Sequence, residues 1–407
     1  MHILFLTDNF PPEGNAPATR TYEHAREWVN EGHKVTIITG APNFPEGKVF
    51  EGYQNNWYRK EYLEGIEVRR VKTYITANEG FTKRILDFMS FMVTSFIAGL
   101  FVKKPDVIVG TSPQFFTAVS AWALAAVRFK PFVFELRDIW PASITAVGAM
   151  GRTLSIRLLE KIEVFLYRRA KKIFSVTYSF KSELIERGID EGKIDVVLNG
   201  VDLTVYKPAT QKSIDFVNEY KLEDKFVVGY VGTHGMAHAL DKIVKTAELL
   251  VDYKDIVIVF AGGGAAKPEV ELLVKEKKLN NVVFIPRQPK KYMPKLWSLC
   301  DISLISLKNT ELFKTVIPSK IFESMGMGLP MIITAPIGEA TEIVTETNSG
   351  IIVEPESPEL LAKAIKELYC DREQLNKLAQ NSSKAAEQYD RKRLAIQMLK
   401  KIKELVN

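Results

Sequence analysis

The chain has 407 residues, 46% of them hydrophobic, and two cysteines. That size and apolar content exclude a disordered or fibrous chain and leave room for two ordinary cores, while Cys300 and Cys370, each in or beside a helical pattern, exclude a disulfide framework and point to a reducing compartment. The net charge of +6 is uneven, because residues 81–180 hold 14 Lys and Arg against 6 Asp and Glu, a local +8, and such a basic region calls for an anionic partner.

No zinc-finger spacing, RNP-like aromatic motif or basic–aromatic interleaving is present, so nucleic acid is not the expected partner. Met1 runs straight into HILFLT with no basic leader region, which predicts a cytoplasmic protein.

In chain order, apolar runs of strand length fall at 3–7, 35–39, 107–111, 132–136, 173–177 and 195–198, with helical patterns at 17–31, 115–128, 152–170 and 178–187. Continuous rather than alternating apolar runs mark parallel strands covered on both faces. The alternation pauses over a polar stretch at 202–224, then resumes with strands near 226–232, 256–261, 282–285, 301–305, 330–334 and 350–353. Two such series predict an α/β protein of two doubly wound, Rossmann-like domains, residues 1–205 and 206–389. The stretch from about 356 is helical, charged and without a strand, and its end, 390–407, is expected to return to the first domain. Ligands of such sheets sit at the C-terminal rims of the strands, so a cleft between the two rims is the expected active site.

Between the two parts of the first series lies an apolar segment, Ile85 to Val102, with one charge, Asp87, preceded by Lys83 and Arg84 and followed by Lys103 and Lys104. As a helix it spans about 27 Å, short of the ~30 Å hydrocarbon core, and a membrane span cannot interrupt one sheet. It is either a buried crossover helix or an interfacial one, with Phe88, Phe91 and Phe96 in the membrane boundary and the lysines on headgroups.

The chemistry-bearing residues follow the strands. In DNFPPEGNAPATR (8–20), Gly14 permits a close backbone approach and Arg20 falls early in the helix; the dinucleotide fingerprint G-x-G-x-x-G is absent. PFVFELRDIWP (131–141) ends a buried strand with Glu135, Arg137, Asp138 and Trp140. Arg137 and Asp138 are either a structural pair or a phosphate ligand beside a group that orients or deprotonates an acceptor hydroxyl. NGVD (199–202) is fully explained as a linker turn.

In the second series, GYVGTHGMAHALD (229–241) is strand, glycine loop, helix. Gly232, Thr233, His234 and Gly235 would turn backbone N–H groups toward a diphosphate, and His238 follows. No further His or Cys has zinc-ligand spacing to these histidines, so no metal is expected. Gly263 of AGGG (261–264) packs a base or ribose or makes a tight turn, and Arg287 follows the strand VVFIP. IPSKIFESMGMGLPMII (317–333) reads as loop, short helix, stop and buried strand. Its Pro318 suits a first helical position, and Ser319, Lys320 and Glu323 fall in the first turns. An ammonium and a carboxylate at one helix start suit a ligand with both phosphates and hydroxyls, such as a sugar nucleotide. Gly338 and Glu339 open another helix at the same rim.

Taken in order, PPEGNAPATR, GHKVTIIT, APNFPEGKVFEGY, FELRDIWP, NGVD and PSKIFES resemble the family four retaining glycosyltransferases of GT-B fold, and the N-terminal half resembles their WbuB-like, L-fucosamine transferase-like subgroup. The resemblance implies that the first domain holds the acceptor and the second a nucleotide sugar, UDP-linked. It implies ribose binding by Glu323, the second glutamate of an E-x7-E motif whose first position here is Thr315. The Arg and Lys that bind the diphosphate elsewhere in the family are replaced in this stretch by His234 and His238, and Lys320 and Arg287 are the expected substitutes. Gly14 matches the glycine loop near the donor diphosphate, and Arg137–Asp138 stands where many members have His-Asp. The family transfers with retention and needs no metal or other cofactor, the nucleotide sugar being a substrate.

The resulting expectation is a cytoplasmic enzyme, peripheral on the inner face of the membrane, moving an N-acetylated amino sugar from a UDP-sugar to a polyprenyl-diphosphate-linked acceptor of O-antigen or capsule. Arg137, Asp138 and Lys320 are the expected catalytic residues. Arg20, Lys83, Arg84, Lys103 and Lys104 are expected on the acceptor and membrane side. A soluble-acceptor transferase or nucleotide-sugar epimerase, and a non-catalytic nucleotide-sugar-binding module, are the alternatives.

Overall fold

A computed structural model of the chain describes residues 1–44, 46–76, 81–139 and 154–406. They divide into two compact units, residues 1–198 with 391–407, and residues 199–390.

In the first unit the strands are β1 His2–Leu6, β2 Lys34–Thr39, β3 Tyr58–Leu63, β4 Ile66–Val71, β5 Val107–Thr111, β6 Phe132–Leu136, β7 Lys172–Ser175 and β8 Ile194–Val196. Their order is β3-β4-β2-β1-β5-β6-β7-β8, parallel except for the β3–β4 pair. Alternate residues of one strand feed opposite faces: Leu4 and Leu6 enter one core, Ile3 and Phe5 the other. Both faces are therefore apolar, which is why the runs are unbroken. The C-terminal helix Arg391–Lys403 closes the second of these cores with Leu394, Met398 and Ile402. Trp28 on the first helix, Ala16–Asn30, donates its indole N–H to Ala395 O at 2.8 Å.

The β3–β4 hairpin carries no apolar run and was not among the expected strands. Its turn is Glu64-Gly65, both at positive φ (48° and 81°), the pairing that a two-residue type I′ hairpin requires. The charged sequence survives in a buried strand because the charges meet one another. Arg69 bonds Glu67 at 2.7 Å, and Arg70 bonds Glu61 at 2.7 Å and Gly40 O at 3.0 Å.

The apolar segment forms the helix Phe81–Leu100, and it is neither wholly buried nor wholly interfacial. Phe91, Ser95 and Ala98 are buried, with Ser95 hydrogen-bonded to Ser120 at 2.8 Å on the neighbouring helix Phe115–Arg128. Leu86, Met89, Val93 and Ile97 stay exposed, at the three- and four-residue spacing of one helix face. This corrects two of the three expected aromatic contacts, because Phe91 is in the core and Phe96 packs against it, while Phe88 is half-buried with the Arg84 guanidinium 5.7 Å from its ring centre. No helix among the described residues is long and apolar enough to cross a membrane.

In the second unit the strands are β9 Phe226–Thr233, β10 Ile256–Gly263, β11 Val282–Ile285, β12 Ile302–Ser306, β13 Met331–Thr334 and β14 Gly350–Val353. The order is β11-β10-β9-β12-β13-β14, with all neighbours parallel. The polar stretch before β9 is less of a linker than its composition suggests. It contains the helix Ile214–Tyr220 with Phe216 buried, and Lys212 pairs with Asp301 at 2.6 Å.

Candidate functional site

Among the parallel strands of each sheet the order reverses at one place, between β1 and β5 in the first and between β9 and β12 in the second. Crossovers leave the sheet in opposite directions there, opening a crevice beyond the strand ends where doubly wound sheets bind ligands.

At the second switch point the buried Lys320 starts the helix Lys320–Gly326, and its ammonium lies 3.8 Å from the centre of the Tyr230 ring. Nζ has no hydrogen-bond partner. Burial pushes its pKa down to about 7, against the opposing pull of Glu323. The Gly232 backbone runs beside it, close enough that a Cβ there would sit 3.5 Å from Nζ. His234 is fully buried, neither ring nitrogen has a partner, and burial, then Lys267 and Lys320, push it down to about 4. His238 bonds the Ser306 carbonyl at 3.0 Å through Nδ1. A carbonyl only accepts, so Nδ1 carries the proton and Nε2 is left as an acceptor. Both imidazole rings lie within 6 Å of the Tyr230 ring, at 5.7 and 5.8 Å, and the Tyr230 hydroxyl donates to Thr233 O at 2.7 Å.

The glycines around this cluster have distinct duties. Gly262 pairs with Gly232, and at φ 139° a Cβ on it would strike the Gly232 carbonyl oxygen. A Cβ on Gly264 would meet the His234 backbone, which bonds Gly263 O and Ala266 N at 2.9 Å each. Gly263 faces open space. The AGGG run is thus a close approach of two backbones, with only its middle glycine clear toward a ligand.

The other expected donor residues lie around the same rim. Glu323 accepts the Trp297 indole N–H at 3.1 Å. Ser319 is the cap of its helix and makes no side-chain cap bond, and Pro318 stands before the cap rather than inside the first turn. Gly338 caps the helix Glu339–Glu346, donating its N–H to Thr341 Oγ1 at 2.9 Å, and Glu339 behind it is buried. Arg287, two residues past β11, is exposed, and Thr315 bonds Leu312 O at 3.0 Å.

At the first switch point Arg20 corrects its expected role. It is 1% exposed, ion-paired to Glu135 at 2.9 Å, and donates to Leu198 O at 2.8 Å and Val197 O at 2.9 Å. A guanidinium so enclosed ties strand ends together and cannot touch a membrane. Arg137 donates to Pro17 O at 3.1 Å, and burial pushes it down to about 10 against the pull of Glu135. The backbone N–H groups of Arg137 and Asp138 converge on Ser112 Oγ at 2.7 and 3.2 Å. Trp140 lies outside the described residues. Gly14 is exposed with nothing within 4 Å of a Cβ, while its neighbour Glu13 is buried and accepts the N–H groups of Asn43 and Phe44 at 2.8 and 2.9 Å. Lys83, Arg84, Lys103 and Lys104 are all exposed.

Several site residues carried no sequence signal. Tyr230 reads as one more apolar strand residue, and Trp297 as part of a short helix. Asp8 and Asp87 come from the end of β1 and from the amphipathic helix. Burial, then the charges of Asp87 and Glu13, hold Asp8 well above its usual range, and burial raises Asp87 to about 7 with Arg84 opposing. Only the lone charge in an apolar helix hinted at Asp87.

Two doubly wound sheets, each with polar side chains gathered at its switch point, define a protein of the GT-B fold. The model described as glycosyltransferase family 4 matches residues 17–205, and that described as glycosyl transferases group 1 matches 211–385. The chain belongs to the family four glycosyltransferases. It is 26% identical over 377 residues to the putative colanic acid biosynthesis glycosyl transferase WcaI of Escherichia coli K12, covering 90% of this chain and 92% of that one. Among solved structures it superposes on sucrose-phosphate synthase of Thermosynechococcus elongatus with a TM-score of 0.78 at 14% identity, over 99% of this chain and 98% of the other. It superposes on Anabaena HepE in complex with UDP-glucose with a TM-score of 0.73 at 17% identity, over all of both chains.

Proposed function

We propose that this protein moves an N-acetylated amino sugar from a UDP-sugar to a polyprenyl-diphosphate-linked acceptor, with retention and without a metal or other cofactor, at the inner face of the cell membrane during O-antigen or capsule assembly. The observation that carries the reading is the unpartnered Lys320 ammonium beside the Gly232 backbone at the second switch point. A diphosphate there would gain a cation and backbone N–H donors at the place where negative charge grows as the nucleotide leaves. In this reading Glu323, whose carboxylate accepts the Trp297 indole N–H, takes the ribose hydroxyls. The WcaI relative, named for colanic acid, supports the polysaccharide setting, and the UDP-glucose complex of HepE supports the donor class.

In this reading the C-terminal unit holds the donor and the N-terminal unit the acceptor. Asp138 orients the acceptor hydroxyl, a donor phosphate oxygen takes its proton on the front face, and Arg137 binds phosphate. The exposed stripe Leu86, Met89, Val93 and Ile97, with Lys83, Arg84, Lys103 and Lys104 at its ends, lies on anionic headgroups and brings the first unit to a lipid-linked substrate.

Thermal-shift screening of UDP-sugars, followed by UDP release with lipid-linked acceptors, tests the proposal. Transfer with Lys320→Ala lowering kcat more than it raises the donor KM is expected. An unchanged kcat removes Lys320 from the leaving group, UDP binding without release from any donor makes the protein a binding module, and an epimerised donor makes it an epimerase.

A further inference from the structure

We propose that the donor site of the C-terminal unit binds a proton together with the nucleotide diphosphate, and that Lys320 receives it. The inference rests on the donor reading above and adds a second ligand to that site. Its ground is the set of groups around Tyr230. Nζ of Lys320 is enclosed, makes no hydrogen bond, and has one aromatic face for company at 3.8 Å. An ammonium in that position forgoes its hydration without gaining an acceptor, so the free site favours the neutral amine.

The charged and titratable groups facing it leave that preference standing. Glu323, one turn along the same helix, favours the charged form, yet burial outweighs it. His234 and His238, on the loop after β9, are both held neutral, and Lys267, from the start of the helix Lys267–Glu276, adds positive charge near His234. Tyr230 stays a neutral phenol, its ionisation opposed by burial. An arriving diphosphate supplies the missing acceptor and negative charge together. The amine then takes a proton from solvent, Nζ gains one N–H bond, and the nucleotide meets a cation that the empty site did not have to keep buried. His234 is the competing recipient, since both its ring nitrogens are also unpartnered.

Calorimetric titration of the full-length protein with UDP-glucose and UDP-N-acetylglucosamine decides the matter, because the diphosphate diesters of these probes do not titrate near neutrality. At about pH 8, in buffers of different ionisation heat, the wild type is expected to take up about one proton per donor bound. Its affinity is expected to fall about tenfold per pH unit above that point. Lys320→Arg, permanently charged, should lose both the uptake and the slope, and His234→Gln should keep them. Donor binding with no proton uptake and a flat pH profile overturns this inference and leaves the donor reading intact. Uptake that survives Lys320→Arg and vanishes in His234→Gln overturns it in favour of His234. Should Lys320→Arg fail to fold or bind, the wild-type uptake and slope together with His234→Gln still decide. Failure of both nucleotide sugars to bind removes the donor reading and this inference with it.

Discussion

Arg20 donates from Nε to Glu135 Oε1 at 2.9 Å with each side chain 1% exposed, joining the first helix to the end of β6. The remaining guanidinium donors hold the carbonyls of Val197 and Leu198, and Thr111 donates to the other Glu135 oxygen at 2.8 Å. Removing one partner strands a buried charge, so Arg20→Met should destabilise the first unit by about 3–5 kcal/mol. The double variant Arg20→Met/Glu135→Gln should recover part of that loss. Denaturant midpoints check both. Burial acts to raise Glu135, but Arg20 and Arg137 bring it below its usual 4.5. A depressed carboxylate contributes stability that is present above the unfolded value and lost as pH falls through the folded one. The wild type should therefore lose this contribution below about pH 4.5, and Glu135→Gln should flatten that limb.

Lys320 gives the opposite sign. Its folded pKa of about 7 lies below the ordinary 10.5, so between those values the unfolded chain binds more protons and stability rises with pH. Lys320→Met keeps the volume and drops the charge. At neutral pH it should stabilise the ligand-free C-terminal unit by something on the order of 3 kcal/mol. The gain should shrink as pH climbs toward 10.5. Melting temperatures across that range measure it. A variant that is never more stable than wild type would show that the Tyr230 ring and Glu323 offset the burial.

How much of this was legible in the sequence follows from which interactions are local. The parallel strands were readable because both faces of each sheet are apolar, as with Ile3 and Leu4 in opposite cores. The helices expected at 115–128 and 178–187 are found at Phe115–Arg128 and Tyr178–Glu186 because their apolar residues recur with the helical period, and the Thr177 cap, which accepts the Phe180 N–H at 3.0 Å, fixes the second start. The β3–β4 hairpin has no apolar run to mark it, because Arg70 meets Glu61 and Lys60 meets Glu67 across the two strands, and cross-strand pairing is invisible along one chain. Its one local clue, Glu-Gly in a two-residue turn, was weak. Among the site residues, Lys320 and His234 could be named from the motifs around them, but not their lack of partners. Arg20 reads in the sequence as a cation free for a ligand or a surface because only the tertiary fold brings Glu135, 115 residues away, against it.

The three glycines after β10 separate backbone packing from ligand contact. Gly262→Ala places a Cβ against the Gly232 carbonyl at a φ that side chains rarely adopt, so it should cost about 1–3 kcal/mol and disturb the β9 loop. Gly263→Ala meets nothing within 4 Å and should leave the melting temperature unchanged. If Gly263→Ala nevertheless weakens UDP-sugar binding, the glycine faces the donor. Equal affinity in wild type and variant would remove Gly263 from the donor contacts.

The exposed stripe on the helix Phe81–Leu100 separates a hydrophobic contact from an electrostatic one. Leu86→Ser/Val93→Ser/Ile97→Ser changes three outward residues and no core contact of Phe91 or Ala98, so the fold should persist by far-ultraviolet circular dichroism. Each side chain withdrawn from the membrane boundary forfeits up to roughly 1.5–3 kcal/mol, so sedimentation with phosphatidylglycerol vesicles should fall by more than tenfold. Lys103→Glu/Lys104→Glu should also weaken binding, at about 1 kcal/mol per lysine for charge loss alone and more on reversal. Salt distinguishes the two effects, because the lysine contribution is screened within a Debye length of about 10 Å at 0.1 M while the aliphatic one is not. The difference between wild type and the lysine variant should therefore close as salt rises, and that between wild type and the serine variant should stay open. Equal sedimentation of all three proteins at low salt would mean that this helix face does not meet the membrane.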